Sequence, residues 1–270
     1  MVETYPPITS RDNPVFKRVR SLQRPSSRNA ERAFVVEGTR AVRDALETGA
    51  RPQLVLVSTD FDSTDIASSL DSSRQTRRIV PALLAKLTDT ISPQGVVAVF
   101  PFPEPPTPGT SPELTLVADS VSDPGNLGTL LRSAAAAGSN RVLLTPGTVD
   151  PFNSKVVRSA MGAHFRVPIA RFDPDFDEYP ATDVQIVLLS GEAQTAYDQV
   201  DLTGPIWIVV GSEARGAGER LREAATQIVS IPMSLGTESL NAAVAGSILL
   251  FEAVRQRRRD VIFAESPRHH

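Results

Sequence analysis

The sequence predicts an α/β protein in two parts, a small N-terminal domain over 1–100 and a larger parallel-sheet domain over 113–270. Three observations lead there. Apolar runs of strand length alternate with helix-like stretches along the chain. Residues 114–118 and 206–210 are almost continuously apolar, as strands covered on both faces of a parallel sheet must be. Residues 101–112, PFPEPPTPGTSP, hold six Pro. Neither a helix nor a central strand accommodates that, so the run predicts a stiff, extended linker.

The elements follow in order. Asn13-Pro14 starts a short helix, with Asn as cap and Pro in the first turn. Val15, Phe16, Val19 and Leu22 form its apolar face, and Arg24 and Arg28 are expected in the loop after it. Residues 33–36 predict a strand, 39–48 a helix ended by Gly49, and 53–58 a second strand. A Ser/Asp-rich helix or loop spans 60–73. A short strand near 78–80, a helix opened by Pro81 and a strand over 95–100 complete the first part. In the second, strands are expected at 114–118, 141–144, 165–170, 185–189, 206–210 and 227–231. Helices are expected at 127–137, 153–162, 219–225 and 239–258, with Ser239 as cap of the last. Residues 173–183 are acidic and predict a surface loop.

Composition narrows the class. The 270 residues suffice for real cores, and 41% are apolar. No residue is Cys and only His164 is an internal His, so no disulfide scaffold and no metal site is expected. The same usage fits a reducing cytoplasm. The N-terminus has no basic region followed by an apolar run, so no secretory signal is expected. No charge-free apolar run is long enough to span a membrane. His269 and His270 are tag-like and set aside. Net charge is −3, yet residues 1–52 carry ten Lys/Arg against six Asp/Glu. That concentration favours a phosphate-binding surface at Arg18, Arg20, Arg24 and Arg28, although each charge alone fits a solvated face.

Three polar, Gly-containing loops follow strand ends in the second part, where open parallel sheets bind ligands. The first runs from Asp119 through Asn126-Leu127-Gly128 to Arg132 and enters a helix N-terminus, which suits an anion. It lacks both the G-x-G-x-x-G dinucleotide pattern and the Gly-Lys-Ser/Thr of a phosphate loop. The second is Gly211-Ser212-Glu213-Ala214-Arg215-Gly216. The third is Ile231-Pro232-Met233-Ser234-Leu235-Gly236-Thr237-Glu238-Ser239-Leu240-Asn241, where Pro232 stops a strand and Gly236 permits a bend. An Ala/Gly-rich helix, apolar on nearly every face, comes next.

Together these loops resemble the three motifs of the SpoU (TrmH) family of RNA ribose 2′-O-methyltransferases, in order and spacing. Asn126, Gly128 and Arg132 match the first motif, and Gly211, Glu213 and Gly216 match the second. Ile231-Pro232-Met233 with Ser239-Leu240-Asn241 matches the third. The resemblance covers the second part and extends more loosely to the first, which looks like the small RNA-holding domain of many members. It implies a trefoil-knotted domain that binds S-adenosylmethionine, works as a homodimer and methylates a ribose 2′-hydroxyl, with 23S rRNA favoured over tRNA. By position, Arg132, Asn126, Glu213, Ser239 and Asn241 would be catalytic. Arg132 would act as base or as electrostatic stabiliser. Ser239 and Asn241 would reach the site from the partner subunit or across the knot. Ser190, Gly191, Gly211, Ile231, Met233 and Leu240 would border the cofactor.

Lys155 and Arg158, on the helix between the first two motifs, suit RNA contact or a structural ion pair. His164 reads as a packed or surface residue. Two other classes stand beside the enzyme. A non-catalytic RNA-binding protein of this fold would have lost Asn126, Arg132 or Glu213, and all are present. A nucleotide-dependent dehydrogenase is disfavoured by the missing glycine pattern.

Overall fold

The computed structural model describes residues 5–61, 76–88, 94–104, 113–180, 183–234 and 239–265. The expected Ser/Asp-rich segment at 60–73 lies almost wholly outside these residues. So do most of the linker, Gly236 and the terminal His pair. The chain forms two compact units. Residues 1–104 and 150–166 make the first, and 105–149 and 167–270 the second.

In the first unit, the Asn13 side chain accepts the Val15 N–H at 2.9 Å and caps α1 (Pro14–Ser21), which buries Phe16 and Val19. The expected loop at Arg24–Arg28 is instead helical, because Pro25 opens α2 (Pro25–Glu31). Then come β1 (Ala33–Glu37), α3 (Thr39–Glu47), β2 (Leu54–Ser58), β3 (Thr76–Ile79), α4 (Pro81–Leu84) and β4 (Val96–Pro101). The sheet order is β1-β4-β2-β3, antiparallel except for β2 with β3. One core gathers Phe16, Leu22, Leu56 and Ile79, and another Phe34, Val42, Val55 and Phe100.

In the second unit, β5 (Leu114–Ala118) leads into α5 (Pro124–Ala137) and β6 (Arg141–Leu144). Helix α5 starts three residues earlier than expected, because the Asp123 carboxylate accepts the Asn126 N–H at 2.8 Å and Pro124 fits its first turn. The next stretch, with α6 (Ser154–Ala160), belongs to the first unit. That departs from the expected boundary, which put everything after 112 in one domain. The cause is packing: the Phe152 ring lies 4.9 Å from Phe34 and the Phe165 ring 4.9 Å from Phe100. Residues 163–165 form a 3-10 turn, so the strand expected over 165–170 shrinks to β7 (Ile169–Arg171).

The chain continues as β8 (Gln185–Leu189), β9 (Thr195–Ala196), β10 (Ile206–Val210), α7 (Glu219–Ala224), β11 (Gln227–Ser230) and α8 (Ala242–Glu265). The two-residue β9 has no signal in the sequence. All seven strands are parallel, in the order β7-β6-β5-β10-β8-β11-β9. The sequential run β5-β6-β7 grows to one side and the later strands to the other. The order therefore reverses beside β5, the place where such sheets open a crevice at their carboxyl ends. Helix α8 lies so close that a Cβ on Gly246 would sit 2.7 Å from Leu130 and 2.8 Å from Val210. Among the described residues no helix is long and apolar enough to cross a membrane.

His164 is a packed residue of the first unit. Its Nε2 lies 2.7 Å from the Pro151 carbonyl and its Nδ1 is buried without a partner. Burial pushes the imidazole from 6.5 down to about 4. The folded protein thus refuses a proton that the unfolded chain accepts, so stability falls as pH drops from 6.5 towards 4. His164→Gln offers a non-titrating donor to Pro151 and should flatten that fall. Hydrogen exchange of β1 and β4 amides across this pH range measures it, and equal pH slopes in the two proteins would exclude His164 as the source.

Candidate active site

Four strand ends supply the site. Val210 ends β10 and passes into a loop closed by two backbone hydrogen bonds, Ser212 N–H to Gly216 O at 3.0 Å and Gly216 N–H to Ser212 O at 2.8 Å. Glu213, Ala214 and Arg215 form its tip. Gly211 has to be glycine, because a Cβ there would stand 2.1 Å from the Gly216 backbone. Gly216 turns the chain with φ of +68°. Beside this loop run Ser190 and Gly191 after β8, and Ile231 and Met233 after β11. With Ser239, Leu240 and Asn241 they line a cleft of about 670 Å³. All six expected cofactor-bordering residues are among its walls.

At one side of the cleft three side chains join. The Asn126 amide donates to Glu213 Oε1 at 2.9 Å, and the Asn241 amide donates to the same oxygen at 2.9 Å. Asn241 also donates to Asn126 Oδ1 at 2.8 Å. The orientation of Asn241 is set by α8, because its Oδ1 accepts the Ala243 and Val244 N–H groups at 3.0 and 3.2 Å. Asn241, not Ser239, is therefore the N-cap of the last helix. With the oxygen committed to the helix, the amide nitrogen must face Glu213. Asn126 is placed by the Asp123 cap one turn earlier. The network lies within one chain, so Asn241 reaches it across the fold. Ser239 is exposed and lines the cleft without a place in the network.

Arg132 stands apart. It is exposed, has no side-chain partner among the described residues, and is not among the cleft walls. Six residues along a helix is about 600° of rotation, so Arg132 leaves α5 roughly 120° away from Asn126.

The expected RNA-contacting cations divide. Arg28 is corrected: it is buried, pairs with Asp150 at 2.5 Å and donates to the Leu22 and Gln23 carbonyls at 2.8 and 2.9 Å. It holds α2 inside the first unit and is not a surface group. Arg18 is half-exposed and engaged by Glu31 at 2.8 Å and Gln53 at 2.5 Å. Arg158 lies 3.8 Å from Glu37. Arg20, Arg24 and Lys155 are exposed with no side-chain ion pair among the described residues. Sequence reasoning assigned no role to Asp119, Thr145 or Gly218, although an Asp directly after a buried apolar strand was a signal for the first. Among the described residues no His/Cys/Asp/Glu group could hold a metal ion.

A parallel sheet with such a cleft at its strand ends, and three motif loops meeting there, defines a SpoU-type methyltransferase. The chain belongs to the SpoU rRNA methylase family, whose model matches residues 113–251, and an MRM3-like substrate binding domain matches residues 13–98. It is 33% identical over 246 residues to the 23S rRNA (guanosine(2553)-2'-O)-methyltransferase RlmP of Bacillus subtilis, covering 90% of this chain and 97% of that protein. The AdoMet-bound rRNA methyltransferase of Sinorhizobium meliloti superposes with a TM-score of 0.81 at 32% identity, covering 93% of this chain and 97% of the other. The SpoU methyltransferase AviRb of Streptomyces viridochromogenes, in complex with AdoMet, has a TM-score of 0.79 at 27% identity over 91% and 98%.

The double role of Asn241 can be separated. Asn241→Ala should cost about 1–2 kcal/mol of stability through the lost cap. Asn241→Ser keeps a capping oxygen but cannot span to Glu213. It should recover most of the thermal midpoint and little of the methyl transfer. Recovery of both together would show that the cap alone matters.

Proposed function

We propose that this protein transfers the methyl group of S-adenosylmethionine to a ribose 2′-hydroxyl of ribosomal RNA, 23S rRNA in particular, in the cytoplasm. The observation that carries this is the convergence of Asn126 and Asn241 on Glu213 beside the cleft. The cleft suits the cofactor in three respects. Its volume is that of a small-molecule site. Its walls at Gly211, Ile231 and Leu240 offer backbone donors and acceptors. Gly211 also lets the loop close tightly on Gly216 beside the cleft, which a Cβ would prevent. When bound, the cofactor supplies an electrophilic methyl on a sulfonium.

The chain's own residues then position the hydroxyl. A ribose hydroxyl is a poor nucleophile, so it needs its proton accepted or its developing charge stabilised. Glu213 is held by two amides and presents its other oxygen as an acceptor that can orient the ribose. A guanidinium keeps its charge, so the role of Arg132 is to bind the neighbouring phosphate and steady the forming alkoxide. Arg132 is turned away from its own chain's Asn126, which supports assembly of the site from two copies. Helix α8 presents Val244 and Phe251, seven residues apart on one face and 45% and 48% exposed. They are the surface through which a homodimer forms. Family membership also implies that this unit is a trefoil knot, a rare exception to ordinary connectivity. The first unit presents Arg20, Arg24 and Lys155 to RNA phosphates.

Mapping of 2′-O-methyl positions in rRNA and tRNA, with and without the active protein, tests the substrate; methyl gained only in tRNA would reverse it. Arg132→Ala should lose most turnover while binding S-adenosylmethionine normally. Phe251→Glu should give monomers in sedimentation. Arg132→Ala and Glu213→Gln chains mixed as heterodimers should regain activity at one of two sites, since one site then receives both intact groups. No recovery in the mixture would return Arg132 to its own chain's site. Charge reversal at Arg20, Arg24 and Lys155 should weaken RNA binding and flatten its salt dependence.

A further inference from the structure

We propose that Asp119, acting with Thr145, is a positioning residue that sets Glu213 against Asn126; this rests on the reading of the cleft as a methyl-transfer site. Asp119 follows directly on β5, is only 5% exposed, and lies outside the cleft walls. Both of its oxygens are engaged. Oδ2 accepts the Gly218 N–H at 2.6 Å, and Oδ1 accepts the Thr145 hydroxyl at 2.5 Å. Its own N–H donates to the Val210 carbonyl at 2.9 Å, which precedes Gly211. Asp119 thus grips the Glu213 loop at its two ends, Val210 and Gly218.

The other limb departs from the same carboxylate. Thr145 Oγ1 accepts the Ser120 N–H at 3.0 Å, and Ser120 Oγ donates to the Pro146 carbonyl at 3.1 Å. Ser120 needs that support, because its φ is +55°, a left-handed conformation that a non-glycine residue adopts at a cost. From Ser120 the chain runs to the Asp123 cap and Asn126. The loops that carry Asn126 and Glu213 therefore leave from one hydrogen-bonded post. Burying a carboxylate is expensive, and no cation pairs with Asp119 among the described residues. The nearby Arg220 is paired with Asp175 and Glu223. A carboxylate there accepts the fixed Gly218 N–H with one oxygen and, with the other, the proton of a Thr145 hydroxyl that is itself accepting the Ser120 N–H.

The test uses the full chain with its RNA substrate, comparing Asp119→Asn, Thr145→Val and Thr145→Ser. Asparagine replaces one acceptor oxygen with an amide N–H, which must face either the Gly218 N–H or the Thr145 hydroxyl, and the second choice reverses the direction of the Thr145 bond. Valine removes the hydroxyl at nearly constant shape. Both should lower kcat about 10–100-fold, with the KM for S-adenosylmethionine moved less than about threefold. Thr145→Ser keeps the hydroxyl and should recover most of kcat, which a role in packing alone would not predict. In a Glu213→Gln background, Asp119→Asn should add little further loss, because the residue acts through Glu213. Wild-type kcat in Thr145→Val, or full additivity of Asp119→Asn with Glu213→Gln, would overturn the proposal. Absence of methyl transfer by the wild-type chain would instead overturn the reading of the cleft, and this inference with it. If Asp119→Asn does not fold, the Val and Ser variants of Thr145 still decide.

Discussion

Two amide groups meet on one carboxylate oxygen, and the motif loops are arranged around that meeting. Asn126 and Asn241 both donate to Glu213 Oε1. Such a contact is short-ranged, so it constrains three chain segments to within a few tenths of an ångström. Asn126 comes from the start of α5, Glu213 from the loop after β10, and Asn241 from the start of α8. Each is locked by a second, local device: the Asp123 cap, the Ser212–Gly216 bridge, and Asn241's own cap on α8. Because each of these local devices is a hydrogen bond to a nearby backbone group, they place the side chains without needing a large hydrophobic surround. The cleft can therefore remain open beside a stiff wall.

The core serves the same end at longer range. Strands β5, β10, β8 and β11 are paired in register, so their carboxyl ends fall side by side. Gly246 lets α8 approach α5 and β10 so closely that a Cβ there would force the Leu130 and Val210 side chains to shift. That approach brings the first residue before α8, Asn241, within reach of Asn126. The apolar helix is thus less a passive core element than the spacer that determines where its cap points. Its Val244 and Phe251 are left exposed on one face.

Much of this could be read from local pattern. Periodicity located most strands to within a residue or two, since a strand buried on both faces is continuously apolar and a helix start needs a cap. Gly211, Gly216 and Pro232 marked loops because each imposes or permits a backbone shape. What misled was anything settled by distant partners. Ser239 and Asn241 are both good caps, and only where the helix begins, at Ala242, selects between them. Arg28 is as hydrophilic as Arg24, yet Asp150, 122 residues away, draws it into the interior. Phe152, Val157 and Phe165 read as ordinary apolar positions of the second part, but Phe34 and Phe100 of the first unit are what they cover.

By itself, then, the sequence determined the element types, the three polar loops and their place after strand ends. These depend on backbone propensity and on burial pattern, which act over a few residues. The tertiary structure decided which side chains of those loops meet, which helix cap is used, which arginines stay on the surface and to which unit residues 150–166 belong. Those outcomes depend on hydrogen bonds and packing between segments far apart in the chain. Such contacts have no period to read until the sheet order has brought their partners together.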